Sequence, residues 1–197
     1  MTPRRAVCLL LGLACMTVAR AELVTGTEPD SGLAFWRYLD DGISLELVQR
    51  LPDQTRAFFL ARGFHKAGVE AIATDCVFQS ALRNTASSGA LSYDLSEWAV
   101  IVDGKAQAMK LRDEWDRQWQ SAGVPQAARI AFRWSLLPSR QRYQPGDYNW
   151  GMTTFRLAPG VQFDLEIRWR RDGVAKTARI PGIRCAPDLP TPAPAQP

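Results

Sequence analysis

The feature that most constrains this chain is an alternating segment near its C-terminus, within residues 160–185. Every second residue is apolar and every residue between is charged, namely Phe163, Leu165, Ile167 and Trp169 against Asp164, Glu166, Arg168 and Arg170. A period of two places one set on each face of a strand. Asp172-Gly173 follows and tolerates the positive φ of a tight turn. Residues 160–185 therefore predict a half-buried β-hairpin.

Further segments of the chain also indicate strands. They cover residues 43–50, 76–83, 95–102, 129–137 and 152–157. Short strands separated by turn residues are typical of sandwiches. We therefore expect a mainly β domain over residues 22–186, an immunoglobulin-like two-sheet β-sandwich of about seven strands. A split barrel is the alternative.

Helical patterns interrupt these strands at two places. Pro52 suits the first turn of a helix, so one or two short helices are predicted within residues 52–73. A longer helix is predicted over residues 108–122, where apolar residues recur at spacings of three and four: Ala108, Leu111, Trp115, Trp119 and Ala122. Gly123 marks its end.

The two ends of the chain differ in composition from the domain between them. Residues 1–21 contain two arginines, an apolar run and a final Ala-Arg-Ala, which is the pattern of a signal peptide. The run is too short for a dependable transmembrane span. An exported protein, periplasmic or extracellular, is expected, with lipid anchoring at Cys15 as an alternative. The proline-rich residues 187–197 predict a disordered, partly extended tail.

The charge of the chain depends on whether the signal peptide is removed. The full sequence has 24 Lys and Arg against 20 Asp and Glu, and three of the arginines lie in residues 1–21. The mature balance is 21 − 20 = +1. Nucleic-acid binders carry a concentrated basic face, so nucleic acid is not an expected partner.

The mature chain contains two cysteines, Cys76 and Cys185. An even pair in an oxidising compartment most simply forms one disulfide. A catalytic or metal-binding thiol is the alternative, although the sequence has no C-x-x-C motif and one histidine.

Several short motifs occur together along the mature chain. They are Asp53-Gln54, Phe58, Ala61-Arg62-Gly63-Phe64, Cys76-Val77-Phe78, Asn84, Phe132-Arg133-Trp134, Leu137-Pro138 and Gly182-Ile183-Arg184-Cys185. The combination resembles a group of uncharacterised secreted bacterial proteins. The resemblance covers most of the mature chain, implies no activity and assigns no functional residue.

Catalytic and metal-binding patterns are sparse. His65 is the one histidine and lies among loop-forming residues, so we expect an ordinary exposed or capping residue. A serine or cysteine nucleophile would need this histidine, and no G-x-S-x-G motif is present. Zinc and copper sites usually recruit several imidazoles or thiolates. Neither a metal site nor a cofactor is expected.

Paired carboxylates are the remaining enzymatic possibility, because glycosidases use two of them. Asp113, Glu114 and Asp116 cluster within the predicted helix. Each has a basic residue four positions away, so a solvated helix face is the simpler interpretation. A carboxylate-based hydrolase is therefore the third functional hypothesis.

The strongest recognition signal is an aromatic and arginine-rich segment over residues 139–151, predicted to be a loop. Its candidate binding residues are Arg140, Arg142, Tyr143, Asp147, Tyr148, Asn149 and Trp150. Loops on a rigid scaffold commonly bind ligands, and Tyr, Trp and Arg are enriched at interface hot spots. We expect a non-enzymatic protein-binding or assembly domain with a partner protein in the cell envelope. A carbohydrate-binding module that stacks a glycan on these rings is the alternative, and inward packing of Tyr148 and Trp150 also stays open.

Overall fold

The computed structural model of the protein describes residues 21–188. The predicted signal peptide up to residue 20 and residues 189–197 of the predicted tail lie outside the described residues. Within residues 21–188, eleven strands form two antiparallel sheets, accompanied by four α-helices. The mainly β, two-sheet architecture is confirmed, whereas the expected number of about seven strands is too low.

The strands and helices have the following bounds. The strands are β1 (Glu22–Thr27), β2 (Ala34–Asp40), β3 (Ile43–Gln49), β4 (Val77–Asn84), β5 (Leu91–Asp94), β6 (Ala99–Val102), β7 (Lys105–Ala108), β8 (Arg140–Tyr143), β9 (Tyr148–Thr154), β10 (Gln162–Arg171) and β11 (Val174–Arg184). The helices are α1 (Pro52–Leu60), α2 (Lys66–Ala73), α3 (Arg112–Ser121) and α4 (Gln126–Ser135). A short 3₁₀ turn covers Leu95–Glu97.

The two sheets differ in how their strands are ordered along the chain. Sheet 1 has the order β1-β2-β3-β4-β9, so its first four strands are sequential neighbours. Sheet 2 is centred on β10, which pairs with β11 along one edge and with β5 and β6 along the other. Strand β8 extends the sheet beyond β5, and β7 extends it beyond β6.

The main core lies between the two sheets. The apolar residues of β10 face this core together with those of β3: Phe163, Leu165, Ile167, Trp169, Ile43, Leu45 and Leu47. The predicted hairpin and the faces of both strands are thus confirmed. Cys76 and Cys185 form the predicted disulfide, with their Cα atoms 5.3 Å apart. The disulfide joins the residue before β4 to the residue after β11.

A second core lies on the opposite face of sheet 1, beneath the helices. Its largest members are Phe59, Phe64, Trp115, Trp119 and Phe132, which pack over Val77 and Met152 of the sheet. The indole rings of Trp115 and Trp119 stack with their centroids 4.8 Å apart. The molecule therefore has three layers, with sheet 1 between the helices and sheet 2.

The helices also correct three sequence-based predictions. The predicted strand at residues 129–137 is largely α4, because Ala128 and Phe132 lie one helical turn apart and are both buried. The long helix begins at Arg112, since residues 105–108 instead form β7. The predicted strand at residues 95–102 begins as the 3₁₀ turn and continues as β6.

No helix within residues 21–188 combines the length and apolar character needed to cross a membrane.

Candidate functional site

Residues 139–151, predicted to be a loop, form β8 and β9 with a turn at residues 144–147 between them. Strand β8 belongs to sheet 2 and β9 to sheet 1, so the turn connects the two sheets. The Asp147 carboxylate accepts a hydrogen bond from the Gln144 backbone N–H at 2.8 Å, which closes the turn. Asp147 thus has a local structural role.

Tyr143 is buried in the core between the sheets, with 1% of its surface exposed. Its hydroxyl donates to the Asn149 side-chain oxygen at 3.0 Å and lies 3.4 Å from the Tyr93 hydroxyl. Burial raises the pKa of Tyr143. Arg140 is exposed and pairs with Asp94 at 3.2 Å, and Arg142 is also exposed. These residues hold the ends of the strands and do not share a surface with Trp150.

Tyr148 and Trp150 project from β9 on the outer face of sheet 1, away from sheet 2. They are 54% and 70% exposed, so they do not pack inward. The guanidinium carbon of Arg83 lies 4.6 Å from the centre of the Tyr148 ring. Two of the predicted aromatic residues are therefore available to a ligand.

Trp150 lines a groove of about 360 Å³ between the helical layer and the uncovered part of sheet 1. The lining residues are Phe58, Arg62, Gln79, Ala131, Trp134, Ser135, Trp150 and Met152, and we call this surface the aromatic groove. Gln79 and Met152 are register partners on β4 and β9. The other walls come from α1 with the turn after it and from the last turns of α4.

Trp134 is 82% exposed, the largest exposed fraction among the exposed large apolar side chains of residues 21–188. The chain just after α4 is attached to sheet 1 by the Leu137 N–H, which donates to the Met152 carbonyl at 2.9 Å. Gly151 permits this approach, because a Cβ there would overlap the backbone of Leu136 and Leu137. The attachment brings the last turn of α4 to the groove that Trp150 also lines.

Two arginines contact the Phe58 ring, and one of them, Arg62, lines the groove. The guanidinium carbon of Arg62 lies 3.2 Å from the centre of the Phe58 ring, and that of Arg50 lies 4.8 Å from it. Such contacts are cation–π interactions. Neither arginine forms an ion pair with any of residues 21–188. Burial and the charge of Arg62 lower the pKa of Arg50.

One residue that lines the groove has a hydrogen-bond donor without an acceptor. Within the described part of the chain, the Gln79 side-chain nitrogen is buried and lacks a hydrogen-bond partner, as does the Nε of Arg50, which lies outside the lining. A buried donor without an acceptor costs free energy, about 1–3 kcal/mol for each group. A ligand carbonyl would remove this cost at Gln79 only if the side-chain amide turned into the groove.

The candidate catalytic residues have structural partners. His65 begins α2, where its Nδ1 accepts from the Gly68 N–H at 3.1 Å, as expected for a capping histidine. Glu114 pairs with Arg156, and Asp116 pairs with Arg133 at 3.0 Å. Across residues 21–188, no group of three or more His, Cys, Asp or Glu residues is placed to hold a metal ion.

Of the residues that line the groove, Trp150 is predicted from the sequence, whereas Trp134, Gln79 and the residues contributed by α1 are not. The strand predicted over residues 129–137 would place Trp134 on the same face as Phe132. The signal available in the sequence was the spacing of four between the apolar residues Ala128 and Phe132, which is typical of a helix. On a helix, residues 132 and 134 point about 200° apart, so Trp134 would lie on the opposite side from Phe132. Comparisons with known proteins found no matching family model, curated protein or solved structure.

Proposed function

We propose that the protein is an exported, non-enzymatic binding protein that recognises a segment of a partner protein in the aromatic groove. The observation that carries this proposal is the pair of exposed indoles, Trp134 and Trp150, at one groove. A tryptophan side chain buries roughly 150–250 Å² when it is covered. Covering two of them would provide a strong driving force for association.

The residue types at the groove support recognition of a protein. Trp and Arg are the side chains most often found at interface hot spots. Arg62 and Gln79 supply directional donors beside the apolar rings, which is how small binding sites select an orientation. The disulfide supports export, because disulfides persist mainly in oxidising compartments.

Carbohydrate binding is the second candidate, favoured by the same two exposed indoles. Sugar hydroxyls both donate and accept hydrogen bonds, so a glycan site requires acceptors as well as donors. The lining of the groove includes no Asp or Glu, and its arginine lacks an ion-pair partner within residues 21–188. This donor excess suits the carbonyl groups of a peptide better than the hydroxyl groups of a sugar.

The proposal is tested by capture of a partner followed by measurement with purified proteins. Residues 22–197 serve as bait for envelope proteins, and each captured protein is identified, purified and titrated by calorimetry. Trp134→Ala/Trp150→Ala should weaken binding at least about tenfold, since hot-spot truncations cost about 2 kcal/mol or more.

Two control variants test whether a loss of affinity is specific to the groove. Val174→Ala removes an exposed apolar side chain at the start of β11, which does not line the groove, and should leave the affinity unchanged. Tyr148→Ala tests the exposed ring on β9 that does not line the groove. Equal affinity of the double variant and the wild type would contradict a role for the groove. Binding of a purified polysaccharide that depends on both tryptophans would instead favour the second candidate.

A further inference from the structure

Building on the binding role proposed for the aromatic groove, we infer that residues 189–197 of the same chain occupy it when no partner is bound. These residues are Leu-Pro-Thr-Pro-Ala-Pro-Ala-Gln-Pro. The chain would then carry its own competitor, and a partner would have to displace it.

The point where this segment leaves the domain is held by α1. Both carboxylate oxygens of Asp188 accept hydrogen bonds from the Arg56 guanidinium at 2.8 Å. Pro187 and Asp188 also lie beside Leu51 and Pro52, where α1 begins. The segment therefore starts on one of the two helices that border the groove.

The distance to the groove is short compared with the length of the segment. Arg50 directly precedes Leu51, and its guanidinium contacts the Phe58 ring that lines the groove. Phe58 is six residues beyond Pro52 along α1, which corresponds to a rise of about 9 Å. Nine residues in a polyproline II conformation span about 28 Å. This length is sufficient even if the segment passes around a helix about 10 Å wide.

The chemistry of the segment complements that of the groove. Its four prolines have no backbone N–H, so the segment is rich in acceptors and poor in donors. The groove has the opposite balance, because Arg62 and Gln79 line it and no Asp or Glu of residues 21–188 does. Proline-rich segments commonly dock in aromatic-lined grooves, because their preformed conformation loses little entropy on binding. Trp134 and Trp150 provide the flat apolar surfaces for the proline rings.

Paramagnetic relaxation tests this inference on the full mature chain. A nitroxide is attached at Ala195→Cys in ¹⁵N-labelled protein, and the indole N–H signals are assigned with Trp134→Phe and Trp150→Phe. The signals of Trp134 and Trp150 should lose most of their intensity, whereas that of Trp169, which lies in the core on the other face of sheet 1, should lose much less. The matched control carries the same label with Pro190→Gly/Pro192→Gly/Pro194→Gly, which removes the polyproline preference and should restore both signals.

The results of this experiment distinguish failure of the inference from failure of the proposed function. Equal broadening in the labelled protein and its glycine control would overturn docking of the segment, even if partner binding depends on both tryptophans. Broadening that arises only between ¹⁵N-labelled chains and separate nitroxide-labelled chains would assign the occupant to a second copy and also overturn the inference. Selective broadening within one chain would support it, even if the double tryptophan variant still binds the partner and the proposed function fails.

Discussion

At the scale of single residues, the most consequential pair is Asp75 and Lys110 between the helical layer and sheet 1. The Lys110 Nζ lies 3.6 Å from the Asp75 carboxylate, and the two side chains are 13% and 10% exposed. The Arg156 backbone N–H donates to the same carboxylate at 2.6 Å. Arg156 has a φ of 54°, an uncommon value for a residue with a side chain. Its hydrogen bond to Asp75 therefore helps to hold a strained backbone.

The first prediction concerns the pH dependence of this pair. Burial raises the pKa of Asp75, and the charge of Lys110 opposes that rise. Lys110→Met removes the positive charge that lowers the pKa of Asp75. The folded-state pKa of Asp75 should therefore rise further above its unfolded value of about 3.9. Stability from a raised pKa is present at low pH and is lost as the pH rises through the folded pKa. The free energy of unfolding of Lys110→Met, measured by urea unfolding, should therefore fall relative to wild type as the pH rises through the raised folded-state pKa of Asp75.

The control for this prediction removes the titrating group itself. Asp75→Asn/Lys110→Met has no carboxylate at this position, so the difference in its free energy of unfolding from Asp75→Asn should not show the pH dependence expected for Lys110→Met against wild type. Parallel pH profiles for Lys110→Met and wild type would show that the two side chains are not coupled.

At the scale of elements, α4 decides which aromatic residues support the fold and which face the solvent. Phe132 is 1% exposed and packs against Trp115 and Trp119, whereas Trp134 is 82% exposed. On a strand, residues 132 and 134 would share one face. On a helix they point in nearly opposite directions, and the burial values agree with the helix.

The second prediction follows from this difference. Phe132→Ala should lower the free energy of unfolding by about 3–5 kcal/mol, because it leaves a cavity in the second core. Trp134→Ala should change it by less than about 0.5 kcal/mol, as is usual for an exposed side chain. Urea unfolding of the two variants gives both values. Similar losses for both would place the two side chains on the same face.

The elements that could be predicted from the sequence are those in which the spacing of apolar residues fits either a strand or a helix, but not both. The β10–β11 hairpin has a period of two over eight residues and a turn pair between its strands. In α4, the apolar residues at 130, 132 and 134 fit one face of a strand, whereas those at 128 and 132 fit one side of a helix. The buried aromatic residues that decide between the two lie on α1 and α3. Strand β1 has no alternating apolar pattern in the sequence, because it lies at a sheet edge and most of its residues are exposed. The aromatic groove depends on elements distant in sequence, so Trp150 alone could be identified.

At the scale of the whole molecule, sheet 1 supports two cores, one on each face. The helices cover part of its outer face, and the aromatic groove lies where that cover ends. The Cys76–Cys185 disulfide links this arrangement to sheet 2 across 109 positions of sequence. The groove therefore lies on a sheet that packs against a core on each face and is cross-linked to sheet 2.

The third prediction concerns this disulfide. In the loop-entropy description, a bond that closes a loop of this length raises the free energy of the unfolded chain by about 4–5 kcal/mol, because it reduces the number of conformations available to that chain. Cys76→Ser/Cys185→Ser should therefore lower the free energy of unfolding by about that amount. Urea unfolding of the oxidised wild type and of the double variant measures the difference. A loss below about 1 kcal/mol would mean that the unfolded chain is not appreciably restricted by the bond.

The central position of β10 in sheet 2 has a consequence for incomplete chains. Without residues 162–171, the pairs β5–β8 and β6–β7 share no strand, and the inner face of sheet 1 loses the apolar residues that cover it. A chain interrupted before residue 162 would thus expose the inner face of β3 to proteases and to other chains. Degradation during synthesis should therefore remove shortened products selectively, and the protein that accumulates should be the one in which β10 has been completed.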